Sequence, residues 1–253
     1  NNNYSYNIKT KRKISAIIVV HVWGNAVKLD SLIKLCKVRN IKIIEDSSES
    51  LGTFFNEGKY RNKHTGTCGY CGVISFNGNK IVTSGNGGMI LTNNLKIAKR
   101  AKFLSTQSKN NSLKYIHNEI GYNYRLSNIN AAIGLSQMQK LKKMLISKKQ
   151  IHNYYTDKIS TIKGVNLLLN PKHSNSNNWL NIIIIDQTYK HSINLLIKKF
   201  IKNNIDVRPV WFPNHKQKHL KNFQKYKINI ATKLINNSLC LPSSAFLTKK
   251  KLR

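Results

Sequence analysis

Two β-branched apolar runs, residues 14–20 and 41–44, bracket a segment in which Leu29, Leu32, Ile33 and Cys36 recur at i, i+3, i+4 and i+7. The outer runs have the length and branching of buried strands, and the middle segment has the period of a helix with one apolar face. Together they form a strand–helix–strand unit. Such a crossover joins parallel strands, and a parallel sheet is stable when helices cover its faces. The chain is thereby directed to an α/β fold, a three-layer and mostly parallel sheet with helices on both sides. In open sheets of this kind ligands bind beyond the carboxyl ends of the strands, which is where Glu45 and Asp46 stand after the second run.

The pattern continues along the chain. Residues 66–88 are dense in glycine around a short strand at 73–76, and a further strand is expected at 89–92. Helices are expected at about 94–104 and, more strongly, at 128–149, where Ser127 or Asn128 can cap a run containing Ile129, Ala132, Ile133, Ser136 and Met138. That long helix leads out of a first domain, 1–145. The remainder, 146–253, reads as a smaller α+β domain. It opens with a polar loop carrying Asn175, Asn177 and Asn178, followed by a strand at 181–186, a helix capped by Ser192, and a strand at 207–210.

Composition narrows the functional classes. The 253 residues hold 43 Lys and Arg against 9 Asp and Glu, a formal charge of +34. A charge of that size invites a nucleic-acid reading, because phosphates reward cations by counterion release. The lysines are scattered among Asn and Ile over the whole chain, however, and no basic stripe interleaved with aromatics forms a stacking platform. A generally cationic surface without a specific nucleic-acid partner is the expectation. No apolar run approaches the roughly 18 residues of a membrane span, and no signal-peptide core opens the chain, so a cytoplasmic protein is expected. Four cysteines fit a reducing setting. Cys68 and Cys71 form a C-x-x-C, but a structural zinc site needs four ligands, and His64 has no second partner at the right spacing. His215 and His219 are four apart with no glutamate between them, which excludes a zincin. No metal is expected.

Two constellations carry chemistry. In residues 75–89 a lysine, Lys80, stands between a strand and a glycine-rich turn. It is not a Walker loop, since Asn79 and Ile81 interrupt the contiguous Gly-Lys-Ser/Thr that would converge on a phosphate. On its own, Lys80 is either a catalytic amine or one more solvated lysine in a lysine-rich chain. In residues 45–52, Glu45, Asp46 and Glu49 place three of the nine acids within five positions at a strand's end. A helix cap or turn accounts for one acid, and a ligand site accounts better for three.

These segments, with residues 20–24, 62–67, 121–125, 128–134 and 208–215, in order, resemble the DegT/StrS sugar-nucleotide aminotransferases, pyridoxal-phosphate enzymes of fold type I. The resemblance runs from about Ser15 to Leu247. It implies that Lys80 is the Schiff-base lysine, that Asp46 faces the pyridine nitrogen, and that Glu49 lies near the ring hydroxyl. It further implies that Ser75 contacts the phosphate and that Asn123 reaches the cofactor of a neighbouring subunit, giving a homodimer with shared sites. Arg208 and His215 would lie near the substrate nucleotide. By the same resemblance the chain starts after a family segment that supplies part of the phosphate cradle and a stacking aromatic, and ends before the usual terminal helix. Asn86 and Tyr70 also depart from the family's wording.

The expected activity is therefore transamination with pyridoxal 5'-phosphate, in which an amino acid such as glutamate supplies the amine for a 4-keto sugar carried on UDP or another nucleoside diphosphate. A sister branch of the family dehydrates instead and carries a histidine at the lysine position, which Lys80 argues against. The alternative is an inactive family remnant whose cationic surface binds polyanions without specificity.

Overall fold

The computed structural model describes residues 3–111 and 113–247. The polypeptide forms two compact units. The first comprises Asn1–Leu145 together with Asn170–Trp179, and the second Ile146–Leu169 together with Leu180–Arg253.

In the first unit the expected strand–helix–strand forms as β1 (Ala16–Val20), α1 (Asp30–Val38) and β2 (Lys42–Asp46). The four periodic residues do what their spacing requires. Leu29 and Cys36 are buried with Val19 and Ile43, and Leu32 and Ile33 pack against them. The unit continues through β3 (Phe54–Phe55), β4 (Cys71–Ser75), β5 (Gly88–Leu91), α2 (Leu95–Ser105), β6 (Lys109–Asn111), β7 (Ile116–His117) and α3 (Asn128–Gln139). Its main sheet has the order β1-β2-β4-β5. The first three strands are parallel, and β5 runs antiparallel to β4. Both helices of the latter half start as their caps dictate, Asn94 accepting from the Lys96 and Ile97 amides and Ser127 from the Asn130 amide.

One expectation needs revising in detail. The run 128–149 is not a single helix: α3 ends at Gln139 with Lys140 as its cap, and α4 (Leu141–Ile159) follows and runs ten residues further than expected. The apolar period gives the reason. Nothing in α3 is fully buried, whereas α4 buries Met144 and Ile151, seven residues apart. The Lys140 amide closes the joint between them by bonding the Gln137 carbonyl at 3.0 Å.

In the second unit β8 (Val165–Leu167), β10 (Asn181–Ile185), β11 (Arg208–Pro209) and β12 (Ser238–Leu241) form an antiparallel sheet, ordered β11-β12-β10-β8. Ile159, Val165, Ile183, Ile185 and Leu239 make its core with Ile193 and Leu196 of α5 (Ile193–Lys202). Ser192 caps α5 through the Leu195 amide, as its position predicts. A last helix, α6 (Asn229–Asn236), precedes β12.

The polar loop ahead of β10 has an outcome that periodicity could not foretell. Its residues Ser174–Asn175 form β9 and pair with β3, so Asn170–Trp179 belongs to the first unit.

Candidate active site

The carboxyl ends of β1, β2 and β4 converge, and backbone bonds tie them together. The His21 amide donates to the Asp46 carbonyl at 3.0 Å, and the Ser47 amide to the Val73 carbonyl at 3.0 Å. Pleating sends the adjacent acids of β2 to opposite faces. Glu45 is fully buried, whereas Asp46 is half-buried, with Oδ1 accepting from the Ser48 amide at 3.0 Å. Glu49, one turn further on, accepts from the Trp23 amide at 2.7 Å through Oε2. Past β4 the chain makes a tight turn in which the Lys80 amide bonds the Asn77 carbonyl at 3.0 Å, bringing the lysine back over the sheet edge.

Lys80 is half-buried. Burial pulls its ammonium below the ordinary lysine range, while the charges of Glu49 and Asp46 pull the other way. Burial likewise pushes Glu49 up; the Trp23 amide and the Lys80 charge counter that push, and Asp46 adds to it. The three groups thus sense one another. The Lys80 Nζ also lies 4.2 Å from the centroid of the Trp179 ring, and the indole Nε1 donates to the Asn79 carbonyl at 2.9 Å.

Trp179 reaches that position because Asn177 anchors its segment. The Asn177 Nδ2 donates to the carbonyls of Glu49 and Leu51, both at 2.9 Å, and its backbone amide donates to Thr53 Oγ1 at 3.1 Å. Its Oδ1 accepts from the Trp179 amide at 2.9 Å. Gly24 lies against this anchor with φ +90°, and a Cβ there would sit 1.9 Å from the Asn177 Oδ1, so only glycine fits. Both Trp179 and Asn177 escaped sequence reasoning. They lie about a hundred residues from Lys80 in an asparagine-rich stretch, and only the pairing of β9 with β3 brings them in.

The described contacts join Lys80, Asp46, Glu49 and Trp179. Ser75, at the end of β4, accepts the Asn77 amide at 3.3 Å through its hydroxyl oxygen. Asn123 is exposed in a backbone bridge with Thr106, and no described contact joins it to Lys80. Arg208 and His215 belong to the second unit, where Arg208 pairs with Asp206 on the surface at 3.3 Å and His215 Nε2 lies 3.5 Å from Thr232 Oγ1. Cys68 and Cys71 are free thiols. Burial pushes the Cys68 thiol up to about 12, which leaves it a poor nucleophile. Among the described residues no group of three or more His, Cys, Asp or Glu could hold a metal ion, and no helix is long and apolar enough to cross a membrane.

A mostly parallel α/β domain that gathers a desolvated lysine and two carboxylates at its strands' carboxyl edge has the architecture of the pyridoxal-phosphate transferases. The chain belongs to the DegT/DnrJ/EryC1/StrS aminotransferase family, whose model matches residues 6–253. It is 33% identical over 238 residues to EpsN of Bacillus subtilis (strain 168), covering 92% of this chain and 60% of that protein. It is 34% identical over 212 residues to a GDP-perosamine synthase of Vibrio cholerae, covering 82% of this chain and 55% of that one. Among solved structures, the E. coli GDP-4-keto-6-deoxy-D-mannose-3-dehydratase with bound hydrated pyridoxal phosphate superposes with a TM-score of 0.80. It is 23% identical, over 92% of this chain and 64% of that one. The chain therefore spans less than two thirds of the length of these relatives.

Proposed function

We propose that the whole protein is a pyridoxal-phosphate-dependent aminotransferase that converts a nucleoside-diphosphate 4-keto sugar to the 4-amino sugar, with glutamate as amino donor. In this reading residues 1–145, joined by 170–179, form the cofactor domain and the rest of 146–253 the smaller domain, and the protein works in the cytoplasm as a homodimer. The carrying observation is Lys80, an amine partly stripped of water, flanked by two carboxylates and roofed by an indole.

The donor set fits the cofactor. An aldehyde carbon needs a neutral amine, and burial shifts Lys80 toward that form. A pyridinium nitrogen needs a carboxylate, which Asp46 offers from its half-buried position beside the sheet edge. A phosphate needs donors, and the Ser75 hydroxyl, whose oxygen already accepts the Asn77 amide, keeps its own hydrogen for one. When bound, the cofactor supplies an electron sink for the carbon that gains or loses the amine. The chain's own residues do the rest. With the cofactor in place, Asp46 would hold a proton on the ring nitrogen, Glu49 would orient the ring hydroxyl, and the Lys80 Nζ would move the proton. Asn123 would serve the partner subunit's phosphate, and Arg208 and His215 the substrate nucleotide.

The naming of one relative as a GDP-perosamine synthase supports a nucleotide sugar as the substrate class. The neighbour named as a dehydratase raises dehydration as a second outcome, and a lysine at position 80 favours transamination. The test is to incubate the chain with pyridoxal phosphate, reduce with borohydride and map modified peptides by mass. A single stoichiometric attachment at Lys80, absent in Lys80→Ala, is expected. Equal attachment in wild type and variant, or none in a folded chain, overturns the assignment for this polypeptide and leaves the polyanion-binding alternative, which salt-sensitive binding of any nucleic acid would support.

A further inference from the structure

The sequence grouped Glu45 with Asp46 and Glu49, but its side chain lies on the other face of β2, with no exposure to solvent. A buried carboxylate is costly unless every lone pair finds a donor, and Glu45 finds four. Its Oε2 accepts from the Gly66 amide at 2.8 Å and from the His21 ring at 3.0 Å; its Oε1 accepts from the Cys68 amide at 2.7 Å and from the Gly69 amide. His21 is as deeply buried as Glu45. Its Nδ1 accepts from the Val27 amide at 3.1 Å, so Nε2 carries the ring hydrogen and donates it to Glu45. These bonds hold both ends of the turn after β1. Inside that turn Trp23 sits at φ +59°, a left-handed conformation that a bulky residue keeps only when its surroundings impose it. The strained residue's amide is the one that holds the Glu49 Oε2.

We infer that Glu45 and His21 act as a positioning pair: they clamp the turn after β1 so that the Trp23 amide fixes the Glu49 carboxylate beside Lys80. The inference rests on the reading of Lys80 as the reactive amine. Glutamine at position 45 would turn an NH2 group toward N–H donors whichever way it sits, against the Gly66 amide and the His21 ring or against the Cys68 and Gly69 amides. Asparagine at position 21 shortens the reach to Glu45 and leaves the three amide bonds of the 66–69 loop untouched.

The experiment measures amide hydrogen exchange across the chain, and the pH midpoint of Lys80 acetylation, in wild type, Glu45→Gln and His21→Asn. None of these readouts needs the cofactor, so a wild-type chain that fails to take up pyridoxal phosphate sinks the function above without touching this proposal. In His21→Asn the Trp23 amide should lose protection by at least about ten-fold while Gly66, Cys68 and Gly69 keep theirs; in Glu45→Gln both sets should lose it. The Lys80 midpoint should fall in both variants, because of the two charges that oppose burial there Glu49's is the larger and Asp46's is the smaller. A merely structural role would accelerate exchange by one factor throughout the first unit. That result, or an unchanged Trp23 amide and Lys80 midpoint in a cooperatively folded variant, overturns the proposal. If Glu45→Gln does not fold, His21→Asn decides alone.

Discussion

Lys80 shows how little a residue's identity says in a chain of this composition. Among 43 basic side chains it is marked by its surroundings: partial burial, the Glu49 and Asp46 charges, and the Trp179 ring. The acids were legible in the sequence because acids are scarce here, and three within five positions stand out. Which way each side chain points was not, since that depends on the register of β2 between β1 and β4. The environment of Lys80 makes a prediction. An exposed lysine releases its proton near pH 10.4. Burial lowers that of Lys80, so more of it is neutral at any given pH below that point. Competitive acetylation against pH, read by mass, should give Lys80 a midpoint below that of an exposed lysine in a short peptide. A midpoint at or above the peptide's would mean that the carboxylates outweigh desolvation.

The longer elements were readable because their apolar spacing is regular, whereas β6, β7, β8, β12 and α6 were not read from the sequence. Leu29, Leu32, Ile33 and Cys36 bury one face of α1, and Asn94, Ser127 and Ser192 cap the helices they precede. The short pairing of β3 with β9 was not, because two residues carry no period and their partners are more than a hundred positions apart. The anchor of that pairing is Asn177, whose side chain makes three hydrogen bonds while almost fully buried. Asn177→Ala leaves the carbonyls of Glu49 and Leu51 without this donor and should destabilise the first unit by about 2–4 kcal/mol, at the upper end of buried polar deletions. Urea unfolding followed by Trp fluorescence measures this. A loss under about 0.5 kcal/mol would show that the segment is held by β9 alone.

At the scale of the molecule the charge dominates. With +34 on 253 residues, like charges face one another over most of the surface. The described acids are largely committed, Glu45 to buried donors and Glu119 to a two-pronged pair with Arg100. Self-repulsion of this kind weakens the compact state and is screened once the Debye length shrinks to about 10 Å near 0.1 M salt. The melting temperature should therefore rise by several degrees between about 0.02 and 0.3 M sodium chloride, by calorimetry. A flat or falling profile would mean that repulsion persists equally in the unfolded chain.

The return of Asn170–Trp179 to the first unit sets a clock on the site. A ribosome makes the chain in order, and when residue 145 has emerged Asp46, Glu49 and Lys80 are all present, yet the indole that roofs the lysine is not. At about 5–20 residues per second, several seconds of further synthesis separate the first unit's strands from its last piece. During that interval Lys80 has neither its roof nor the Asn177 anchor. The finished surroundings of this lysine are thus a late product of translation, and a fragment ending at residue 145 would carry the site's charges without its geometry.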